Sequence, residues 1–115
     1  MSVSNPAGAD PGSGVLAEIR PGLESVTPRM WRVLLHNDDF TTQEFVVWVL
    51  ETVFHKPSAE AFEIMLHVHS AGIGVAGIYT KEIAETKVAA TERLAEQHEF
   101  PLRVSMEPEP EEAQR

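Results

Sequence analysis

The sequence predicts an α+β fold, a two-layer sandwich in which a three-stranded antiparallel sheet packs against three helices. Three short runs of apolar, β-favouring residues predict the strands, at Met30–Leu35, Gly74–Tyr79 and Leu102–Met106. Between these runs, apolar residues recur at spacings of three and four, which is typical of amphipathic helices. The predicted order is strand, helix, helix, strand, helix, strand. A sheet this short needs a helical layer on one face to be stable, which gives the two-layer class.

The first strand and the first helix are joined by a polar cluster. The strand ends at His36-Asn37-Asp38-Asp39, a run of residues that favour turns. Thr41 or Thr42 then offers a hydroxyl to cap a helix, which we expect to end near His55-Lys56-Pro57. The apolar positions of this helix are Phe45, Val46, Val49, Leu50, Val53 and Phe54.

The other two helices have similar signals at their ends. Ser58 is predicted to cap the second helix, which ends at Gly72. Thr80 is predicted to cap the third helix, which runs from Lys81 to about His98. The positions assigned to the buried sides are Ala61, Phe62, Met65, Leu66 and Val68 in the second helix and Ile83, Ala84, Val88, Ala89 and Leu94 in the third.

Length, composition and charge exclude several functional classes. The chain has 115 residues, of which 43% are hydrophobic and 23% charged, as expected for one globular domain. Its formal net charge of -9 argues against nucleic acid as a partner, because nucleic-acid binders carry basic patches. No apolar run approaches the roughly 20 residues of a membrane span and no signal peptide is evident, so we expect a cytoplasmic protein without a membrane partner. The absence of cysteine excludes disulfides, thiolate nucleophiles and Cys-based zinc sites.

Two flanks differ from the middle of the chain. Residues 1–28 mix Gly, Pro, Ser and Ala with few large apolar groups, which predicts a disordered N-terminal extension. Residues 107–115 join Glu to Pro and predict an extended, solvated acidic tail. The predicted folded domain is therefore residues 29–106.

The densest polar cluster, Asn37-Asp38-Asp39, has two interpretations. It forms an Asx turn, or its amide and carboxylate oxygens accept hydrogen bonds from a bound cation. A calcium loop would need a longer alternation of ligands. A small enzyme using Asp38, Asp39 and His69 is a further option, but adjacent Asp side chains need not face each other and no nucleophile is evident. The residues therefore give poor support for catalysis.

The remaining polar candidates are on the predicted helices. His67 and His69 are two residues apart on one helix and point about 200° apart, so they cannot both bind one metal ion. We expect no metal and no cofactor. Glu82 and Lys87, in the first two turns of the third helix, belong to a solvated helix face or to a docking patch, and periodicity does not decide between these.

Four segments occur in an order and spacing known from one protein family. They are Trp31–Thr41, Glu44–Val46, Met65–His69 with Gly72, and Ala84–Val88. In these segments the chain closely resembles the ClpS family, the adaptors of the bacterial Clp protease. The similarity extends over about Pro28 to Met106.

The resemblance implies an adaptor without catalytic activity of its own. It would recognise N-degrons, which are proteins with a free N-terminal Phe, Tyr, Trp or Leu. It would deliver them to the N-terminal domain of a ClpA-type or ClpC-type AAA+ unfoldase for degradation by ClpP. We expect the adaptor to be a monomer.

The resemblance also implies residue roles, carried over position by position. The substrate α-amino group would be surrounded by Asn37, Asp38, Asp39 and His69. The pocket for the first side chain would be formed by Thr41, Gln43, Val46, Met65, Val68 and Leu102. Unfoldase docking would involve Glu82 and Lys87, and the N-terminal segment would engage the unfoldase during delivery. Many family members have Met where this chain has Gln43, so the breadth of the pocket is expected to differ.

One alternative function comes from a different class of protein. The C-terminal domain of the ribosomal stalk protein shares the predicted architecture and docks translation factors. It lacks the Asn-Asp-Asp loop and the pocket histidine. A translation-factor docking module is therefore the second hypothesis.

Overall fold

A computed structural model describes residues 28–110 and confirms the predicted architecture. Most of the predicted N-terminal extension and the last five residues of the predicted tail lie outside this range. In chain order the elements are β1 (Trp31–His36), α1 (Gln43–Thr52), α2 (Ser58–Ala71), β2 (Ile73–Tyr79), α3 (Lys81–Gln97) and β3 (Arg103–Pro108). The three strands form one antiparallel sheet in the order β2-β1-β3.

Strand β1 is the central strand of the sheet, which explains its continuous apolar sequence. Val33 and Leu35 have no exposed surface and belong to the core cluster that the sheet shares with the helices. Leu34 points to the opposite face and is also buried. Strand β1 pairs with β3 in one continuous register from Trp31 to His36, whereas its register with β2 shifts between Val33 and Leu34. The loop to α1 leaves the sheet after His36.

The start of α1 and the end of α2, at Thr42 and Gly72, are as predicted, whereas the end of α1 and the start of α2 differ from the prediction. Thr42 is the N-cap of α1, and its hydroxyl accepts a hydrogen bond from the N–H of Phe45 at 3.1 Å. The helix ends at Thr52, before the predicted His55, whose φ of 57° is incompatible with a continuing helix. Ser58 does not cap α2. It is the first helical residue, follows Pro57 as N-cap, and donates its hydroxyl to Glu51 Oε2 at 2.6 Å.

The buried side of α2 is narrower than predicted. The structure buries Ala61, Met65 and Val68, which are separated by four and three residues. Phe62 and Leu66 were predicted to be buried but are 52% and 44% exposed. Both lie one residue past a buried position, so they occupy the border of the apolar stripe rather than its centre.

The buried side of α3 also differs from the prediction. Ile83 is 48% exposed and Ala89 is exposed as well. The buried residues are Ala84, Thr91 and Ala95. Thr91 is buried without an unpaired hydroxyl because its Oγ1 donates to the carbonyl of Lys87 at 2.9 Å.

Strand β3 extends to Pro108, two residues into the segment predicted as a solvated tail. Arg32 on β1 forms an ion pair with Glu107, and the N–H of Glu109 donates to the carbonyl of Met30 at 2.7 Å. Opposite charges on neighbouring strands stabilise their pairing. The first residues of the Glu-Pro segment are therefore part of the sheet. Within residues 28–110, no helix combines the length and apolar character needed to cross a bilayer.

Candidate functional site

A small cavity lies where the loop after β1, the start of α1 and the end of α2 meet. We call it the loop cavity, and its volume is about 180 Å³. Typical small-molecule pockets have volumes of roughly 300–1,000 Å³, so the loop cavity has the size for one side chain rather than a whole ligand. It is lined by Asn37, Asp38, Asp39, Thr41, Gln43, Val46, Met65, Val68 and His69.

The two polar parts of the loop cavity come from segments that are distant in sequence. The backbone N–H of Asn37 donates to the carbonyl of Gly72 at 2.9 Å, which joins the loop after β1 to the end of α2. Gly72 has a φ of 91°, in the left-handed region that favours glycine, and it ends α2. His69 lies in the last turn before this cap. The helix end therefore positions the imidazole beside the Asn37 loop.

The apolar wall consists of Val46, Met65 and Val68, all of them buried. Strand β2 passes close behind this wall, because a Cβ on Gly74 would lie 2.7 Å from Val68 Cγ2. The chain therefore needs glycine at position 74 to let α2 and β2 approach each other. This contact fixes the depth of Val68 in the wall.

The carboxylate of Asp38 accepts hydrogen bonds from residues of its own loop. Its Oδ1 accepts hydrogen bonds from the N–H of Phe40 at 2.8 Å and of Thr41 at 2.7 Å, and its Oδ2 accepts the Thr41 hydroxyl at 2.7 Å. Burial alone would raise the pKa of the Asp38 carboxyl, but these hydrogen bonds together lower it below its usual value. Asp38 therefore holds the loop in shape as an ionised Asx-turn residue.

The side chains of Asn37, Asp39 and His69 differ from Asp38, because none makes a hydrogen bond to another residue within 28–110. Asn37, Asp39 and His69 are exposed, and all three line the loop cavity. An amide oxygen, a carboxylate and an imidazole nitrogen can all accept hydrogen bonds. None of the lining residues is Lys or Arg. The mouth of the cavity is therefore suited to a guest that carries several N–H donors and a positive charge.

This division of the polar cluster gives a testable difference between neighbouring residues. Asp38→Ala should lower the free energy of unfolding by about 1–3 kcal/mol, because it leaves two backbone N–H groups and a hydroxyl without their acceptor. Asp39→Ala should leave stability within about 0.5 kcal/mol, since its carboxylate has no partner in the described chain. Urea unfolding of both variants measures this. Equal stability of Asp38→Ala and the parent chain would contradict the proposed loop role.

Leu102 is the predicted pocket residue that the structure does not place on the cavity surface. It precedes β3, is 6% exposed and belongs to the core cluster that also contains Val46 and Met65. Its contribution to the loop cavity is therefore indirect, through the packing of residues that do line it. The spacing of apolar residues in the sequence cannot tell a residue that lines a cavity from one that packs behind it.

The predicted docking residues Glu82 and Lys87 have different environments. Glu82 lies in the exposed first turn of α3. Lys87 Nζ donates to the carbonyl of Val53 at 2.6 Å and lies 5.5 Å from the centre of the Tyr79 ring. Val53 is the C-cap of α1, where a cation is favourable. Lys87 thus joins two helices, and Glu82 is the more accessible of the two side chains.

Other histidines are outside the loop cavity. His36 is hydrogen-bonded to Ser105 Oγ at 2.7 Å, and burial, with a smaller effect of Arg103, lowers the pKa of its imidazole. His67 lies on the same helix as His69 but does not line the cavity. In the part of the chain that the structure describes, no three His, Asp or Glu side chains are grouped as metal ligands.

A second, larger concavity was not predicted from the sequence. We call it the helical groove, because it lies between α1 and α2. Gln43 and Met65 line both this groove and the loop cavity. One residue in the sequence could have indicated this groove: Trp48 is large and aromatic but lies outside the apolar stripe predicted for its helix.

Comparisons with known proteins all indicate one family. The family model described as "ATP-dependent Clp protease adaptor protein ClpS" matches residues 26–105. The ClpS adapter of Myxococcus xanthus is 52% identical over 97 residues, which cover 84% of this chain and 91% of the relative. That of Desulfotalea psychrophila is 60% identical over 87 residues, covering 76% and 85%. The structure of Agrobacterium tumefaciens ClpS2 bound to L-phenylalaninamide matches with a TM-score of 0.69 and 36% identity, covering 72% of this chain and 100% of that one.

Proposed function

The chain belongs to the ClpS family of ATP-dependent Clp protease adaptors, and we propose that it binds the free N-terminus of substrates beginning with Phe, Tyr, Trp or Leu. The observation that carries this proposal is the loop cavity of about 180 Å³, in which an apolar wall lies beside hydrogen-bond acceptors that have no partner within residues 28–110. The similar A. tumefaciens ClpS2 is described with L-phenylalaninamide, a compound with a free α-amino group and a phenyl side chain.

The polar mouth of the loop cavity would recognise the α-amino group. An α-ammonium has three N–H donors and one positive charge, and Asn37, Asp39 and an imidazole nitrogen of His69 offer three acceptor groups, one of them a carboxylate. An internal peptide N–H is a single neutral donor, so it would leave acceptors unpaired. Asp38 would act at this site by holding the loop. The proposed function is therefore recognition of a chain end.

The apolar part of the loop cavity would select the first side chain. Burying a Phe or Leu side chain is worth about 1.5–3 kcal/mol relative to leaving it exposed, or roughly a 10- to 100-fold gain in affinity. Val46, Met65 and Val68 form the buried wall that such a side chain would contact. A β-branched first residue would be refused by shape.

Fluorescence anisotropy with short labelled peptides that differ only in their first residue tests this function. Peptides beginning with Phe should bind at least about 10-fold more tightly than the same peptides beginning with Ser or Ile. Equal affinities across the series would remove the loop cavity as a side-chain pocket. The alternative of translation-factor docking is not favoured, because the loop and histidine that distinguish the two families line one cavity here.

Gln43 should change the preference among first residues. Its exposed side chain lines the loop cavity at the position where many family members have Met. Gln presents an amide that needs partners, whereas an aromatic ring keeps a large contact area and meets amide protons with its face. We therefore expect Phe, Tyr and Trp to bind about three- to tenfold more tightly than Leu. Gln43→Met should narrow this ratio, and an unchanged ratio in the anisotropy assay would indicate that Gln43 points away from the guest.

Delivery would use a different surface of the molecule. We propose that Glu82 contributes to docking on the N-terminal domain of a ClpA-type unfoldase and that residues 1–28 act as a handle during transfer. The adaptor itself would carry no catalytic activity and would act as a cytoplasmic monomer. Lys87 would support the docking face indirectly, through its contacts with Val53 and Tyr79.

Separating binding from delivery requires variants that spare the fold. Glu82→Ala should leave peptide affinity within about twofold but slow Clp-dependent degradation of a Phe-starting substrate at least about fivefold. Lys87→Ala should also slow degradation, but it should lower the free energy of unfolding by about 1–3 kcal/mol, because it removes the hydrogen bond to Val53. Degradation assays, paired with peptide binding and urea unfolding, distinguish these effects. Loss of peptide affinity in Glu82→Ala would contradict the assignment of two surfaces.

A further inference from the structure

The helical groove is an apolar surface next to the loop cavity, with a volume of about 340 Å³. Trp48 is 39% exposed and Phe62 is 52% exposed, although both rings are large enough to be core residues. Exposed apolar surface collected in one concavity is typical of a binding site. The groove is lined by Gln43, Glu44, Val47, Trp48, Glu51, Phe62 and Met65.

The groove carries negative charge along one side. Glu44 and Glu51 lie two turns apart on α1, about 10 Å along its axis, and no lining residue is basic. Glu51 is held by the hydroxyl of Ser58. Glu44 is exposed and forms no ion pair within residues 28–110. A guest that fits this surface has an apolar stem and a positively charged end.

The aromatic side of the groove is held in place before any guest arrives. The Trp48 ring packs against Phe45, with 5.7 Å between centroids, and against His98, with 5.2 Å. A guanidinium stacks on the face of Trp more favourably than on any other side chain, and its three-carbon stem covers apolar surface. Arginine therefore combines the features that Trp48, Phe62 and Glu44 require.

The groove and the loop cavity have a common wall, since Gln43 and Met65 line both. A substrate whose first side chain fills the loop cavity continues by about 3.3–3.6 Å per residue. The second or third side chain can therefore reach across this wall. We propose that the helical groove binds a long basic side chain, arginine above all, at the second or third residue of the substrate. This inference rests on the proposed N-terminal recognition and narrows its substrate class.

The test uses the full chain and Phe-starting peptides that carry Arg, Ala or Glu at position 2, 3 or 8. Arg at position 2 or 3 should bind about five- to tenfold more tightly than Ala by fluorescence anisotropy, and Glu more weakly than Ala. At position 8, which lies beyond the groove, the three peptides should agree within about twofold. Equal affinity of the Arg and Ala peptides at positions 2 and 3 would overturn the proposal.

Two groove variants separate a specific contact from general attraction to an acidic protein. Glu44→Gln and Trp48→Ala should each reduce the Arg advantage to within about twofold, while affinity for the Ala peptide stays unchanged. Glu63→Gln is the matched control, because it removes an exposed carboxylate of α2 that does not line the groove. An Arg advantage that falls equally in all three variants, or in none, would overturn the groove assignment. Glu44→Gln keeps the test valid if Trp48→Ala folds poorly.

The outcome is distinguishable from failure of the proposed function. If the groove assignment is wrong, peptides beginning with Phe still bind more tightly than those beginning with Ser. If N-terminal recognition is wrong, this first-residue preference is lost whatever residue stands at position 2. A groove that mediates self-association would show a Trp48-dependent increase in mass by sedimentation and no effect of Trp48→Ala on peptide ratios, which would also overturn the proposal.

Discussion

Acetylation of the α-amino group of a Phe-starting peptide should weaken its binding to this protein by at least about 100-fold. The modification removes the positive charge and two of the three N–H donors but leaves the phenyl ring unchanged. Asn37, Asp39 and His69 would then face a neutral amide, and hydrogen bonds to a charged group are worth about 1.5–3 kcal/mol each. A 100-fold loss corresponds to about 2.7 kcal/mol, which is within the range expected for one or two such bonds.

The measurement is a competition assay in which free and acetylated peptides displace the same labelled probe. Asp39→Ala should weaken the free peptide and leave the acetylated one unchanged, because the variant removes only the charged acceptor. Glu63→Ala is a matched control that removes a distant exposed carboxylate. Equal affinity of the free and acetylated peptides for the parent protein would contradict amine recognition. The preference for an apolar first side chain would then need a different explanation.

The polar cluster illustrates how far the sequence can predict the site. The Asn37-Asp38-Asp39 run has two sequence-based interpretations, an Asx turn and a site for a cationic guest. In the structure, Asp38 completes the turn, while the side chains of Asn37 and Asp39 make no hydrogen bond to any residue within 28–110. No local sequence pattern can assign these roles, because they depend on which side-chain oxygen accepts the N–H groups of Phe40 and Thr41.

Local sequence signals predict some helix boundaries but not which residues of a helix face are buried. The glycine at position 72 is a strong local signal, and α2 ends there as predicted. The rule of three and four locates a stripe but not its edges, so it places Phe62 on the buried side, where the structure leaves it half-exposed. The exposed ring of Phe62 lines the helical groove. The contact from Lys87 to Val53 spans 34 residues, and no periodic pattern contains it.

The proposed amine site should also make peptide affinity bell-shaped in pH. A histidine imidazole ordinarily changes charge between about pH 5 and 8, and a peptide α-amino group has an unperturbed pKa of about 7.7–8.0. Recognition needs a neutral His69 and a charged amine, so affinity should fall on both sides of neutrality. Neighbouring carboxylates favour the charged amine of a bound peptide, which moves the alkaline limb towards higher pH.

Replacing His69 with a residue that cannot titrate isolates the acid limb. His69→Gln should flatten the fall in affinity between about pH 7 and 5 and leave the alkaline limb in place, because that limb belongs to the guest. His67→Gln is the matched control, since this exposed imidazole lies on the same helix outside the loop cavity.

Two other groups must be separated from His69 in the same titration. The lowered pKa of Asp38 keeps its carboxylate ionised throughout this range, so it cannot produce the acid limb. His36 has a lowered pKa, so the fold loses stability as pH falls through the ordinary histidine pKa of about 6.5, because the unfolded chain then binds more protons than the native one. An acid limb that persists unchanged in His69→Gln but disappears in His36→Gln would remove His69 from the amine site. The pH dependence would then belong to His36, at the end of β1.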